Sequence, residues 1–260
     1  NLLKVKNIMH KITAIIPCKN EAHNIEAVLE SVKWCDEILV VDSFSSDNTI
    51  ELAKKYTSRI IESEYINAAS QKNRAIPQAT HEWILLVDAD ERVTPELQSE
   101  IQQLLQRDTI PHDAYWIYRI NYFMGKEVKY SGWQRDKVIR FFKRDTCRYE
   151  EKHVHAEVIT SGSVSKLKYK LVHNTYKDIF HYLEKWDRYS TWSANDAAKK
   201  VTRPGFYHFI IKPGFRFFKH YIIDLGFLDG WTGFIVCSLA AKGVFMRYVK
   251  LYGMIKSKNN

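Results

Sequence analysis

The sequence predicts an α/β fold: a mixed, mainly parallel sheet with helices on both faces, followed by a C-terminal amphipathic helical extension. Three observations predict it. Short β-rich apolar runs alternate with helix-length amphipathic segments between Ile12 and Asp88. The runs are apolar at consecutive positions, as strands buried on both faces of a parallel sheet require. Acidic residues fall where the runs stop, and ligands of open α/β sheets bind beyond the carboxyl ends of the strands.

Taken in order, Ile12-Thr-Ala-Ile-Ile-Pro17 is a buried strand ended by proline, and Asn20 to Trp34 repeats Ile25, Val28, Leu29 and Val32 at helical spacing. Glu37-Ile-Leu-Val-Val-Asp42 is a second strand, closed by a Ser/Asp/Asn loop, after which Thr49 to Tyr56 reads as a helix. The cycle returns at Arg59 to Glu62, at the helix-like Ala68 to Ala79, and at Glu82-Trp-Ile-Leu-Leu-Val-Asp88. Beyond Asp113, shorter Tyr/Arg-rich strands are expected around Tyr115 to Tyr122, Val138 to Phe142 and Val154 to Thr160, extending the same sheet. An amphipathic helix is predicted over Ile179 to Ala198, and an aromatic, basic, helical tail from Phe206 onward.

At 260 residues, 45% hydrophobic and 27% charged, the chain suits one large domain or a domain with an appendage, and excludes a disordered one. Cys18, Cys35, Cys147 and Cys237 lie far apart without CxxC spacing, so neither a zinc site nor a disulfide framework is expected, and a reducing cytosol suits them. Residues 1–16 carry Lys4, Lys6 and Lys11 among short apolar pieces, without the apolar core of an export signal. The net charge of +9 suits nucleic acid, an anionic membrane or a phosphorylated substrate, and its placement decides among them. From Val201 onward nine Lys/Arg stand against only Asp224 and Asp229, so most of the excess is C-terminal.

The sharpest chemical signal is Val87-Asp88-Ala89-Asp90-Glu91. Carboxylates at i and i+2 beyond a strand can share a hard divalent cation, which prefers oxygen ligands and keeps positions open for phosphate oxygens. The same segment also reads as a solvated acidic turn that caps the next helix through Thr94 or Asp90. The second signal runs from Val40 to Thr49, where Asp42 at a strand tip is placed to accept from a base N–H or a ribose hydroxyl. Asp47 reads more simply as the N-cap of the helix from Thr49.

Together these segments resemble glycosyltransferase family 2. Ile15-Ile16-Pro17-Cys18-Lys19-Asn20-Glu21 is similar to its opening strand motif, Val41-Asp42-Ser43 with Ser46-Asp47-Asn48-Thr49 to its nucleoside loop, and Val87-Asp88-Ala89-Asp90 to its metal motif. Gln71, Asn73 and Arg74 match the segment before the third strand motif. A narrower likeness, to bacterial lipopolysaccharide-core glucosyltransferases, continues through Gly132-Trp133, Asp136, Arg140-Phe141-Phe142, Val154-His155 and Gly226-Phe227-Leu228-Asp229-Gly230. Nearly the whole chain is covered.

The resemblance implies a GT-A fold, inversion at the anomeric carbon, a Mg²⁺ or Mn²⁺ ion, and transfer of a hexose from a nucleotide-diphosphate sugar, UDP-linked, to a saccharide or lipid-linked acceptor. It implies donor contacts from Pro17, Asn20, Glu21, Asp42, Gln71, Asn73, Asp88, Ala89 and Trp133, and metal contacts from Asp88, Asp90 and His155. Residues 1–200 become the catalytic domain, with a nucleotide-binding half of about 10–112 and an acceptor half of about 113–200; residues 201–260 become the extension.

Inversion needs a base that removes the acceptor hydroxyl proton in a single displacement. Glu157 is the first candidate, followed by Asp136 and Glu151, because the narrower group reads Val-His-Glu where this chain has Val154-His155-Ala156-Glu157. His155 reads as a metal ligand, a phosphate-orienting group or a satisfied strand residue. Trp133 and Tyr130 read as stacking surfaces or as core. A sugar nucleotidyltransferase would want a Gly-rich, basic phosphate loop where Cys18-Lys19-Asn20-Glu21 stands. A nucleic-acid-binding module would want lysines where the acids cluster, so no nucleic acid is expected.

Residues 206–258 are expected to hold the enzyme peripherally on an anionic membrane, at the cytoplasmic face of a bacterial inner membrane. The apolar stretch Gly230 to Ala241 has 12 residues, short of the ~20 that cross a bilayer. Packing on the catalytic domain, or a homo-oligomer contact, is the other use of such helices.

Overall fold

The computed structural model describes residues 10–150, 156–176 and 178–258. In chain order the elements are β1 (Ile12–Cys18), α1 (Ile25–Val32), β2 (Glu37–Asp42), α2 (Thr49–Ala53), β3 (Ile60–Glu62), α3 (Ala68–Ala75), β4 (Trp83–Leu86), β5 (Glu91–Val93) and α4 (Pro95–Leu105). There follow β6 (Ala114–Phe123), β7 (Lys126–Val128), β8 (Lys137–Lys143), β9 (Cys147–Tyr149), β10 (Val158–Thr160), β11 (Val164–Lys166) and β12 (Leu171–Tyr176), then α5 (Ile179–Ala198), α6 (Lys212–Phe218) and α7 (Gly230–Lys258). Packing groups them into two units, one of residues up to 119 with 137–173, the other of 120–136 with residues from 174 on.

In the first unit, β1 is central. It runs parallel to β2 in the register Thr13↔Glu37 through Cys18↔Asp42, and parallel to β4 from Ile12↔Trp83 to Ile15↔Leu86. β3 extends the parallel set beyond β2, while β8 lies antiparallel to β4 and β6 antiparallel to β8. The strand order is β3-β2-β1-β4-β8-β6-β12-β5, with β7 and β11 each pairing with β6, while β9 and β10 form a separate two-stranded sheet, so the strand that ends at Thr160 does not extend the main sheet as expected. The main sheet is the mixed sheet, parallel in its N-terminal half, that the alternation of strand and helix predicts.

Strand alternation explains the helices on both faces. Ile12, Ala14 and Ile16 point into a core shared with Val28, Leu29 and Val32 of α1 and with Leu97 and Ile101 of α4. Ile15, Leu39, Val41, Ile84 and Leu86 point the other way, onto Ala69 and Ala75 of α3. Trp83 stacks on Phe141 with ring centroids 4.7 Å apart, both fully buried, and each such aromatic removes enough apolar surface from water to contribute about 1.5–3 kcal/mol. α4 is capped by Thr94, whose hydroxyl accepts from the Leu97 N–H at 3.2 Å, so the helix-capping residue after the acidic turn is Thr94.

The second unit is mainly helical. α5 packs against α7, and the ammonium of Lys250 fixes the pair by donating to Asp187 Oδ1, Asp187 O and Thr191 Oγ1, each at 2.7 Å. α6 is extended at both ends by π-helical turns, Tyr207–Ile211 and Lys219–Ile223. Pro213 has no N–H to give to the preceding turn, and the wider π turn stands just before it. Burial along this helix follows a four-residue period. Pairs at 206–207, 210–211, 214–215, 218–219 and 222–223 are exposed, and the pairs between them are half-buried. An α-helix repeats at about 3.6 residues per turn and a π turn takes more, so their alternation keeps the exposed pairs in line.

At Leu225 (φ 58°) the chain turns, and Gly226 to Asp229 forms a short 3-10 turn leading into α7. Gly233 makes this corner possible, because a Cβ there would meet the Gly226 carbonyl oxygen at 1.9 Å. Asp229 fastens the corner by accepting from the Lys129 and Tyr130 N–H groups, each at 3.0 Å, and from Ser131 Oγ at 3.1 Å. No single helix among the described residues is long and apolar enough to cross a membrane; the pair Tyr207–Ile223 and Gly226–Ser257, bent by 73°, has that apolarity only together.

Candidate active site

The carboxyl ends of β1, β2 and β4 bring three sequence motifs to one edge of the first unit. Because Cys18 and Asp42 are in register, the segments after β1 and β2 interlock. Asn20, at φ 55°, donates its N–H to Ser45 Oγ and accepts the Ser46 N–H at its side-chain oxygen, both at 2.8 Å. Asn tolerates this left-handed conformation better than other side chains bearing a Cβ. The Glu21 N–H reaches Thr49 Oγ1 at 2.8 Å, and the Ala22 N–H reaches Asp47 Oδ2 at 3.2 Å. Asp47 also accepts the Thr49 N–H at 3.1 Å, but the N-cap position of α2 falls on Asn48, so Asp47 ties the loop instead of serving as the helix cap expected of it. These bonds hold the Asp47 carboxyl below the usual carboxylate range despite partial desolvation.

Asp42 is 1% exposed. Its Oδ2 accepts the Ser45 N–H at 2.8 Å, its Oδ1 accepts the Ser45 hydroxyl, and the Cys18 thiol lies 3.5 Å from Oδ1. Burial first, then the charge of Asp42, pushes the Cys18 thiol far above its ordinary value, so it stands as a neutral packing group. Gln71 and Asn73 bind protein. The Gln71 amide donates to Val41 O at 3.1 Å and Ser43 Oγ at 2.7 Å, and Asn73 exchanges two 2.8 Å bonds with the Tyr149 backbone, tying α3 to β9. Pro17 is buried within β1 and Ala89 is buried in the acidic turn.

After β4, Val87 continues to a tight turn in which the Glu91 N–H donates to Asp88 O at 2.8 Å and the Asp88 N–H donates to Glu91 Oε2 at 2.9 Å. The three acids of this turn have different surroundings. Glu91 is fully buried and paired with Arg119 at 3.1 Å and Arg140 at 2.9 Å. Asp88 takes Lys72 Nζ at 2.8 Å on one oxygen and Arg140 on the other. Burial pushes the Asp88 carboxyl up, but the guanidinium of Arg140 and then the ammonium of Lys72 outweigh it and hold the carboxyl well below the usual range. Asp90 lies 3.7 Å from Nε2 of His173 on β12, which pairs antiparallel with β5.

His173, Lys72 and Arg119 were not singled out by sequence reasoning, and Arg140 entered only as part of a motif. His173 sits in Leu-Val-His-Asn-Thr-Tyr, a short alternating run that carried a strand signal. Arg92 also belongs to the framework, bonding Ala89 O at 2.7 Å and Asn24 Oδ1 at 2.9 Å across to the start of α1.

Of the expected bases and metal ligands, Glu151 and His155 lie outside the described residues. Glu157 is exposed beside β10, where its carbonyl accepts the Glu150 N–H at 2.9 Å. In the second unit, Asp136 accepts from Asn121 Nδ2 at 2.9 Å, and Trp133 packs edge-on against Phe123 at 6.4 Å. Among the described residues no group of three His, Cys, Asp or Glu is gathered closely enough to form a metal cage by itself.

The family model for glycosyl transferase family 2 matches residues 13–168, which include β1, β2, β4 and the acidic turn of this edge and stop short of His173 on β12. The chain belongs to that family. Among relatives, it is 28% identical to an uncharacterized glycosyltransferase of Rickettsia felis, over 96% of this chain and 93% of that protein. It is also 28% identical to the lipopolysaccharide core biosynthesis glycosyltransferase LpsC of Rhizobium meliloti, over 93% and 92% of the two chains. A solved structure of glucosyl-3-phosphoglycerate synthase from Mycobacterium tuberculosis with Mg²⁺ and UDP superposes with a TM-score of 0.36 at 18% identity, and the match spans less than half of either chain, 43% and 44%. The family membership makes this acid-lined edge the candidate active site of a glycosyltransferase.

Proposed function

We propose that this glycosyltransferase inverts the anomeric centre while moving a hexose from a UDP-linked donor to a saccharide or lipid-linked acceptor of the lipopolysaccharide core. The observation that carries the reading is the placement of Asp42, Asp88 and Asp90 at the carboxyl ends of β2 and β4, the two strands that flank β1, with His173 beside Asp90. The core-biosynthesis relative supports the acceptor class. Residues 10–112 take the donor and residues 113–200 the acceptor.

A divalent cation, Mg²⁺ or Mn²⁺, fits the donor set at Asp90 and His173. Their facing atoms are 3.7 Å apart, and a carboxylate oxygen beside an imidazole nitrogen is a donor pair that such ions accept. One carboxylate oxygen and one imidazole nitrogen leave positions for diphosphate oxygens. An ion held by these two residues would supply positive charge to offset the charge of a departing diphosphate.

The chain's own residues do the rest. Asp42 accepts from the nucleoside, displacing Ser45 as its partner. Lys72 and Arg140 keep Asp88 ionised and in one orientation beside the donor. Asn20 and Glu21 hold the loop that roofs the nucleotide. Glu157, or in its place Asp136 or Glu151, takes the acceptor hydroxyl proton as the acceptor oxygen bonds to the anomeric carbon and the bond to the diphosphate breaks on the opposite face.

The test is a panel of nucleotide sugars titrated onto the full chain with and without Mn²⁺. UDP-hexoses are expected to bind, at least tenfold tighter with the metal. Equal affinity for all nucleotides, or affinity indifferent to Mn²⁺, overturns the donor and metal assignments.

A further inference from the structure

We propose that the bent helical pair of the second unit seats its outward face in the interfacial layer of a lipid bilayer with anionic headgroups. The decisive feature is that the helix from Phe206 to Ile223 is inside out. A helix on a water-soluble surface turns apolar residues inward and charged ones outward. Here Lys212, Arg216 and His220 fall in the half-buried pairs. Lys212 Nζ donates to Tyr248 OH of α7 at 2.7 Å, and the His220 ring bridges Arg216 and Asp224 at 3.1 and 2.9 Å. The exposed pairs are Phe206-Tyr207, Ile210-Ile211, Gly214-Phe215, Phe218-Lys219 and Ile222-Ile223.

Exposure on this face is large. Phe206 is 72% exposed, Phe215 60% and Ile223 57%, and past the corner Leu228 is 54% and Trp231 80% exposed. Single exposed apolar side chains are ordinary, but an aligned row continuing around a corner is a contiguous patch that needs an apolar partner.

Charge selects the partner. From Val201 onward the only acids are Asp224 and Asp229 against nine Lys/Arg. Both acids are spent internally: Asp224 is 2% exposed and pairs with Arg135 and His220, and Asp229 binds the 129–131 backbone and Ser131. Among the described residues, this helical pair itself therefore offers apolar groups and cations, its two carboxylates both being engaged within the unit. Two copies of such a face repel each other, whereas an anionic headgroup layer attracts it and its edge of acyl chain receives the aromatic rings. The 73° bend, and the failure of either helix alone to reach the apolarity of a span, fit a pair lying in the interface rather than crossing it.

The experiment is flotation of the full chain with phosphatidylcholine vesicles, with and without phosphatidylglycerol, at low and high salt. It is compared with a Phe215→Ser, Phe218→Ser, Trp231→Ser variant, whose three sites are exposed and whose fold is checked by its thermal melt and by UDP binding. The expected result is co-flotation with the anionic vesicles at low salt, reduced about tenfold by high salt or by the three substitutions, with UDP binding unchanged. Two results overturn the proposal: the full chain staying with the soluble fraction at low salt, or a lipid-free oligomer, seen by sedimentation, that the same substitutions dissociate. Loss of UDP binding by the parent chain would strike the donor assignment and leave this surface standing.

Discussion

His173 Nε2 stands 3.7 Å from Asp90 Oδ2, brought there by the antiparallel pairing of β12 with β5, in which His173 lies opposite Glu91. Two residues 83 positions apart in the chain thus present an imidazole and a carboxylate to one point. His173→Ala is expected to weaken Mn²⁺-dependent UDP binding on the order of 10–100-fold, with metal-free binding little changed. Calorimetry with and without Mn²⁺ measures it, and an unaltered metal increment would remove His173 from the site.

Asp90→Asn should act on the same increment and nearly abolish transfer, since the proposed cation site would lose its carboxylate. Asp88→Asn is expected to cost turnover as well, but through the geometry set by Lys72 and Arg140. Near-normal turnover of Asp90→Asn at saturating metal would contradict the assignment.

Arg140 is buried between Asp88 and Glu91. Arg140→Met leaves both carboxylates short of a partner and is expected to destabilise the fold by about 3–5 kcal/mol, read from urea unfolding. The acid limb gives a second readout. The folded Asp88 carboxyl is depressed, so its contribution is complete above the unfolded value of about 3.9 and is lost as pH falls below it. The variant should lose less stability than the parent on going from pH 5 to pH 3, values at about one unit either side of that pKa. Parallel profiles would mean that Asp88 is not the titrating group.

Asp42→Ala removes the acceptor at the tip of β2 that Ser45 occupies in this structure. The expected effect is a donor KM raised roughly tenfold, the value of one good hydrogen bond to a charged group, with a smaller change in kcat. Donor affinity equal to the parent's would take Asp42 out of the nucleoside pocket.

For the base, Glu157→Gln is expected to lower kcat by about 10²–10⁴-fold while leaving UDP affinity intact, because proton removal belongs to the transition state. Asp136→Asn and Glu151→Gln are the comparison variants. A parental rate in Glu157→Gln, with loss in one of the others, would transfer the role.

The parallel half of the sheet was legible because strands buried on both faces leave consecutive apolar runs, and Asp42 and Asp88 could be placed at their ends by counting alone. α5 emerged with its bounds at Ile179 and Ala198, since a long amphipathic period is a strong local signal. β5 was hidden: Glu91–Val93 has three residues, and its burial of a glutamate depends on Arg119 and Arg140 arriving from other strands. His173 was hidden for the same reason, as its meaning lies in a pairing between distant segments. Lys72 is a buried lysine on a polar helix, and only the position of Asp88 explains it. Local periodicity reports what each segment buries, and cross-strand ion pairs leave no such trace.

The four-residue period of the helix from Phe206 to Ile223 also governs how its length can change. Deleting one residue near Pro213 would turn everything beyond it by about a quarter of a revolution, sending Phe218 and Ile222 inward and bringing His220 outward. Inserting four residues would leave every later side chain facing as before and simply lengthen the row. Alterations of this segment are therefore tolerated in steps of four, a spacing rule that homologues or designed variants of different length would have to obey.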